Sequence, residues 1–189
     1  MFSSWSVSSP MAELPGICIL VSLILIVAAI IDGWKLKVPN WITFPMVISG
    51  WAFSTYMFGW EGLLSSLIGT AVGLGLLLPL YAIGGMGAGD VKLLAGVGAW
   101  VWGWITLFAF CFSAVIGGLI AVGMVLYQKR AQHHVGQFWA ILTEIWVVRD
   151  PNQLSAMAAE RKSSMLLLPY GIPIAIGTIT YFAVMGLLL

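Results

Sequence analysis

Charge is what this 189-residue chain has least of. Eight Lys or Arg and seven Asp or Glu make up 8% of it, where a soluble domain carries roughly a quarter. So little charge cannot cover a water-exposed surface, and a net charge of +1 without a basic run offers nothing to a polyanion, which excludes nucleic-acid binding. Cysteine is almost absent too. Cys18 and Cys111 lie in apolar stretches without C-x-x-C spacing, which excludes a disulfide scaffold and a zinc site and reads both as core residues. His133 and His134, adjacent in a polar stretch, are the only histidines; with no third ligand they indicate no metal, and no Ser–His or Cys–His nucleophile pair is apparent. What is abundant points one way. An apolar content of 61%, 22 Gly, 10 Trp and a mean hydropathy of +1.03 are the composition of a polytopic membrane protein, because Gly is frequent in membrane helices and Trp gathers at their interfaces.

Apolar runs long enough to cross a hydrocarbon core of about 30 Å lie at 15–31, 41–58, 62–83 and 165–189. The stretch from Val91 to Tyr127 would run roughly 55 Å as one helix. The cluster Trp100, Trp102, Trp104 around Gly103 reads as an interfacial turn that splits it into a short helix, 91–101, and a long one, 103–127. The chain is thus expected to be an all-α, single-domain protein of six transmembrane helices in a lipid bilayer. All eight basic residues fall on one side of that topology: Lys35 and Lys37 after the first span, Lys92 opening the fourth, and Lys129, Arg130, Arg149, Arg161 and Lys162 between the fifth and sixth. That side is cytoplasmic, so both termini face outward. The first span lacks a basic leader region and a small-x-small cleavage site, and reads as a retained anchor, with the mature chain starting near Met1.

Segment 128–164 is the one sizeable polar stretch. Within it Val135, Phe138, Trp139, Leu142, Ile145 and Trp146 recur at helical spacing, which suggests a helix lying in the interface or packed on the bundle. Gly62, Ser66, Gly69 and Gly73 form a small-residue stripe in the third span, suited to close helix packing. No repeat or inverted symmetry of the transporter kind is visible.

Ionisable groups at membrane helices are costly and therefore functional candidates. Glu13, Glu61, Glu144, Asp150 and Glu160 fall in loops or the polar segment. Asp32 and Asp90 instead close the first span and open the fourth, both at the cytoplasmic edge. Asp90 follows the run Gly84-Gly85-Met86-Gly87-Ala88-Gly89, and only about 11 helical residues come after it. That is half a bilayer, so the glycine-rich run is expected to dip into the membrane as irregular backbone, as is tolerated around a wet cavity, with room for an extended peptide to approach. Neither phosphate-binding glycine pattern is present. Two carboxylates sharing a pocket cannot both ionise easily and titrate as a unit. Such a pair suits aspartic proteolysis, which needs no cofactor; a proton or ion relay and structural capping stay open on these grounds.

The motifs narrow the choice. Gly87-Ala88-Gly89-Asp90-Val91-Lys92-Leu93 resembles the GxGD-x-K-[LF] motif of the type IV prepilin peptidases, bacterial membrane aspartyl proteases. Asp32 with Val38-Pro39-Asn40-Trp41-Ile42-Thr43 resembles their first-aspartate segment, D-x5-[IV]-P-N-x-[IL]-T, and Pro169-Tyr170-Gly171-Ile172-Pro173 with Gly177 resembles the start of their last helix, which packs near the site. The resemblance implies an inner-membrane endopeptidase that cleaves the basic leader from prepilins and pseudopilins at the cytoplasmic face, with Asp32 and Asp90 catalytic and no cofactor or metal. The competing reading is a small proton-coupled transporter using the two acids as a relay. Gly87, Gly89, Lys92, Pro39, Asn40, Pro169 and Gly171 are the expected site-shaping residues. Among them Asn40 reads as a cap of the second span, and Lys92 either as a neighbour of Asp90 or substrate, or as a chain snorkelling to the headgroups. Larger members carry an N-terminal cytosolic domain with paired C-x-x-C motifs that methylates the new pilin end. Nothing in these 189 residues corresponds to it, so the chain resembles the short, protease-only type of tight-adherence pilus systems. The purified chain is accordingly expected not to methylate cleaved pilin; incorporation of methyl label from S-adenosylmethionine would contradict this.

Overall fold

The structure, a computed structural model, describes residues 15–82, 86–127 and 169–188. Their regular structure is helical: α1 (Pro15–Lys35), α2 (Asn40–Ala82), α3 (Ala88–Tyr127) and α4 (Gly171–Val184). By length and composition α1, α2 and α3 are apolar enough to cross a membrane, and α4 is a shorter apolar helix.

At 43 residues, a straight α2 would be about 65 Å long. It is broken at Gly59, where φ 62 and ψ −143 put the backbone in a region nearly closed to residues with a Cβ. The chain reverses there. Trp51 Nε1 donates to Thr70 Oγ1 at 3.0 Å, a pair that an unbroken helix would hold roughly 28 Å apart. α3 breaks likewise at Trp102, with φ 65 and ψ 179. The break thus falls between the expected helices 91–101 and 103–127, on a residue with a side chain and not on Gly103 itself. Such a conformation costs of order 1–3 kcal/mol, and the indole is held in it by edge-on packing against Phe58, 5.4 Å between ring centres.

The breaks leave arms 40–58 and 60–82 in α2, and 88–101 and 103–127 in α3. These match the expected runs closely, but α1 continues four residues past 31 and α3 starts three before 91. The aromatic belt is corrected in one member. Trp104 is exposed, but Trp100 turns inward, stacks on Phe53 and donates Nε1 to the Met46 carbonyl at 2.9 Å. The bond offsets the cost of burying that indole N–H; the Trp102 Nε1 is buried without one.

Most of the interior is apolar, but small polar side chains share it and large apolar ones lie outside; Cys18 is buried as expected, whereas Cys111, expected in the core, is exposed. Ser22, Thr43, Ser54, Ser66, Thr70, Thr106, Ser113 and Thr178 are buried, while Leu23, Ile48, Ile68, Val115 and Leu119 are exposed. Small side chains then let backbones meet. Gly62, Ser66, Gly69 and Gly73 are all buried, as the stripe predicts. Gly69 meets Gly98 backbone to backbone, Gly73 meets the Leu94 carbonyl, and Ser66 Oγ donates to the Ala99 carbonyl. The expected interfacial helix in 128–164, the histidine pair, Gly84 and Gly85, and both chain ends lie outside the described residues.

Gly69→Val, whose side chain would enter the Gly98 carbonyl, is expected to cost at least about 1–3 kcal/mol. Gly75→Val faces open space and should stay within about 0.5 kcal/mol of wild type, both read by SDS titration in mixed micelles.

Candidate active site

The inward residues of α1 are Ile17, Cys18, Val21, Ser22, Leu25, Ala28 and Asp32, one stripe at helical spacing that ends in a carboxylate. One turn later the helix stops. Leu36 takes a left-handed conformation, φ 51, and its N–H donates to the Asp32 carbonyl at 2.7 Å, closing the helix by an αL cap. Asp32 is therefore fixed on the last turn of α1.

Asp90 is placed by its own helix. The expected irregular stretch ends sooner than the sequence suggests, since α3 begins at Ala88 and Asp90 sits in its first turn. The reason is a reciprocal cap: Asp90 N–H donates to the Gly87 carbonyl at 3.2 Å, and Gly87 N–H donates to Asp90 Oδ2 at 3.2 Å. A carboxylate at the third helical position reaching back to the cap amide is one half of a capping box. Gly89 has a different use. A Cβ there would lie 2.7 Å from the Val38 carbonyl, so its bareness lets the α1–α2 connection cross the start of α3.

The third contribution comes from α4. Its N-cap, Tyr170, provides no side-chain cap, leaving first-turn amides in need of an acceptor. Asp32 is that acceptor: Gly171 N–H donates to Asp32 Oδ2 at 2.8 Å. A Cβ on Gly171 would meet the same oxygen at 2.8 Å, so only glycine permits this approach. Pro169 shapes the turn, its carbonyl accepting from Ile172 N–H at 3.2 Å.

Asp32 and Asp90 are thus brought into one site from α1 and α3, 2% and 5% exposed. They lie near enough for the charge of one to act on the other, and the Gly171 amide bears on Asp90 as well. Asp90 Oδ1 is buried without a hydrogen-bond partner, as are Trp102 Nε1 and Thr178 Oγ1; of the three it is the one that can accept a proton. Two carboxylates so placed can share a proton and exchange it with a third group. Among the described residues no three His, Cys, Asp or Glu side chains gather as a metal site.

The remaining expected residues sit on the rim. Lys92 does not turn to Asp90. Its Nζ donates to Asn40 Oδ1 at 3.0 Å and lies 4.9 Å from the centre of the Phe44 ring, tying α3 to the start of α2. The Asn40 cap is therefore corrected: the Pro39 carbonyl accepts the first amides of α2, from Ile42 and Thr43, and the Asn40 oxygen is taken by Lys92. One residue was missed. Tyr170 stands between Pro169 and Gly171 with its phenol under the influence of the Asp90 charge; a tyrosine in an apolar run carries no periodic signal that sets it apart from core.

A sequence profile described as the type IV leader peptidase family matches residues 19–122, which include both aspartates, the Pro39-Asn40 turn and the Gly87–Lys92 segment, but not α4. The prepilin leader peptidase/N-methyltransferase of Aeromonas hydrophila is 31% identical over 139 residues, covering 67% of this chain and 47% of that protein. The protein of the same name from Escherichia coli (strain K12) is 33% identical over 110 residues, covering 54% and 48%, and that from Aeromonas salmonicida (strain A449) is 31% identical over 122, covering 60% and 41%. The chain spans less than half the length of these relatives. No solved structure matches it.

Gly171→Ala, which drives a Cβ into the Asp32 carboxyl, is expected to destabilise by roughly 1–3 kcal/mol. Lys92→Met, at the exposed rim, should change stability by less than about 1 kcal/mol; the two are compared by thermal unfolding in detergent.

Proposed function

The chain belongs to the type IV leader peptidase family, and from that membership we propose that it is a membrane aspartic endopeptidase that removes the leader of type IV prepilins and pseudopilins, with Asp32 and Asp90 as its catalytic pair. The observation that carries the reading is the burial of these two carboxylates, from separate helices, in one site. The pair works with one proton between them. The ionised carboxylate takes a proton from water, whose oxygen bonds to the scissile carbonyl carbon while the partner gives its proton to the carbonyl oxygen. Collapse of the resulting diol breaks the C–N bond. The first carboxyl then protonates the leaving nitrogen, and the second recovers the hydroxyl proton.

The same reading sets the protein in the bacterial inner membrane. α1, the four arms and α4 act as six spans, α4 being the shortest at 14 residues. Lys35 and Lys37 follow Asp32 closely and Lys92 follows Asp90, so the positive charge of the described residues gathers at the catalytic end. That end faces the cytoplasm by the positive-inside rule, both termini face outward, and a leader arrives there in extended form beside Gly87 and Gly89. The substrate is the basic leader together with the apolar pilin helix behind it, which lies in the bilayer alongside the exposed apolar faces.

Co-expression with a tight-adherence prepilin in a peptidase-null bacterium tests the reading by precursor mobility. Asn at either position keeps an oxygen for the Gly171 or Gly87 amide but cannot exchange a proton. Asp32→Asn and Asp90→Asn, at equal membrane levels, are each expected to lower cleavage by about 10²–10⁴-fold. Cleavage at the wild-type rate in either variant would contradict an aspartyl mechanism.

A further inference from the structure

The two carboxylates account for proton transfer but leave the carbonyl oxygen of the substrate with a single donor, and peptide hydrolysis is helped most by fixed donors aimed at the oxygen where negative charge develops. Three observations single out one more group at this site. The first is position along the chain. Tyr170 directly precedes Gly171, whose amide is bonded to Asp32 at 2.8 Å, so any conformation that keeps this bond keeps the Tyr170 backbone at the dyad.

The second is depth. Asp90 stands twelve residues before the break at Trp102 and Gly117 fifteen after it, roughly 18 and 22 Å along the two arms. Gly117 is thus within about one helical turn of the level of Asp90, and Tyr170 lies against it: a Cβ on Gly117 would come within 3.3 Å of Tyr170 Cε2 and 3.4 Å of its hydroxyl. The ring lies against arm 103–127, near enough to Asp90 to register its charge.

The third is exposure. Asp32 and Asp90 are buried, while Tyr170, Pro169, Gly87 and Gly89 are partly exposed. Tyr170 is thus less enclosed than either carboxylate. A phenol holds its proton at neutral pH and both donates and accepts.

We propose that Tyr170 is a third catalytic residue, whose hydroxyl donates a hydrogen bond to the carbonyl oxygen of the scissile peptide as that oxygen gains charge. This rests on the prepilin-peptidase reading above. The phenol keeps its proton throughout; the proton that ends on the carbonyl oxygen comes from the dyad. Gly117 is the positioning residue that leaves room for the ring.

The test uses the purified full chain in detergent and a purified tight-adherence prepilin, with kcat and KM measured separately. Tyr170→Phe keeps the ring and its packing, so its unfolding midpoint should equal that of wild type. Its kcat is expected to fall by about 100-fold, the lower end for loss of one such donor, with KM within about twofold. Gly117→Val, which presses on the Tyr170 ring and on Pro173 Cβ, should also lower kcat, and the double variant should lose less than the product of the two single losses, because both changes act on one ring. A kcat for Tyr170→Phe within about twofold of wild type, or a loss carried by KM alone, overturns the proposal. Wild type, Asp32→Asn and Asp90→Asn in the same assay separate the failures. If wild type does not cleave, the protease reading falls; if Asp32→Asn and Asp90→Asn still cleave, the aspartate-pair mechanism falls; if they are dead while Tyr170→Phe is fully active, only the role of Tyr170 falls.

Discussion

The bond from the Gly171 amide to Asp32 is the contact on which the polar end of the bundle depends. A carboxylate near the C-terminal end of a helix stands against its own macrodipole, and burying it adds a desolvation cost. α1 places Asp32 in that position. The first turn of α4 relieves both costs, since it presents unsatisfied amides at the positive end of another helix. The relief is mutual, because the N-cap of α4 brings no acceptor of its own. Two helices far apart in sequence are therefore joined through a group that one must shelter and the other must cap.

Asp90 is secured by different means. It caps its own helix through Gly87, so its place is local to a few residues, while the approach of the Val38 backbone over Gly89 ties that helix start to the α1–α2 connection. The glycines of the motif have distinct duties: Gly87 supplies an amide, Gly89 supplies room. Because each aspartate already stabilises a helix end, the chemistry proposed for the pair draws on oxygens left over from that structural work, of which the unpartnered Oδ1 of Asp90 is the clearest.

Helix identity and the breaks were legible in the sequence, since a bilayer limits run length and α2 and α3 are each about twice as long as one crossing. The small-residue stripe was legible for a related reason: only Gly and Ser let two backbones touch. What sequence could not give was the choice of partner across helices. Trp100 reads as a belt residue until the Met46 carbonyl is seen beside it. Asn40 reads as a cap until Lys92 claims its oxygen. The early start of α3 depended on a side chain folding back on its own cap, a local competition that hydropathy does not register. Asp32 and Asp90 stood out because charge is rare here, and Tyr170, though part of the segment at the start of the last helix, did not because aromatic residues are common.

The central claim is that Asp32 and Asp90 form one pair in the folded protein. It is tested most directly by replacing both with cysteine, with Cys18 and Cys111 changed to alanine, and treating native membranes with a short bifunctional thiol reagent before measuring intact mass. One internal cross-link in the double variant, against a single dangling adduct in each single-cysteine control, is the expected result. Two separate adducts on the double variant would contradict the pairing.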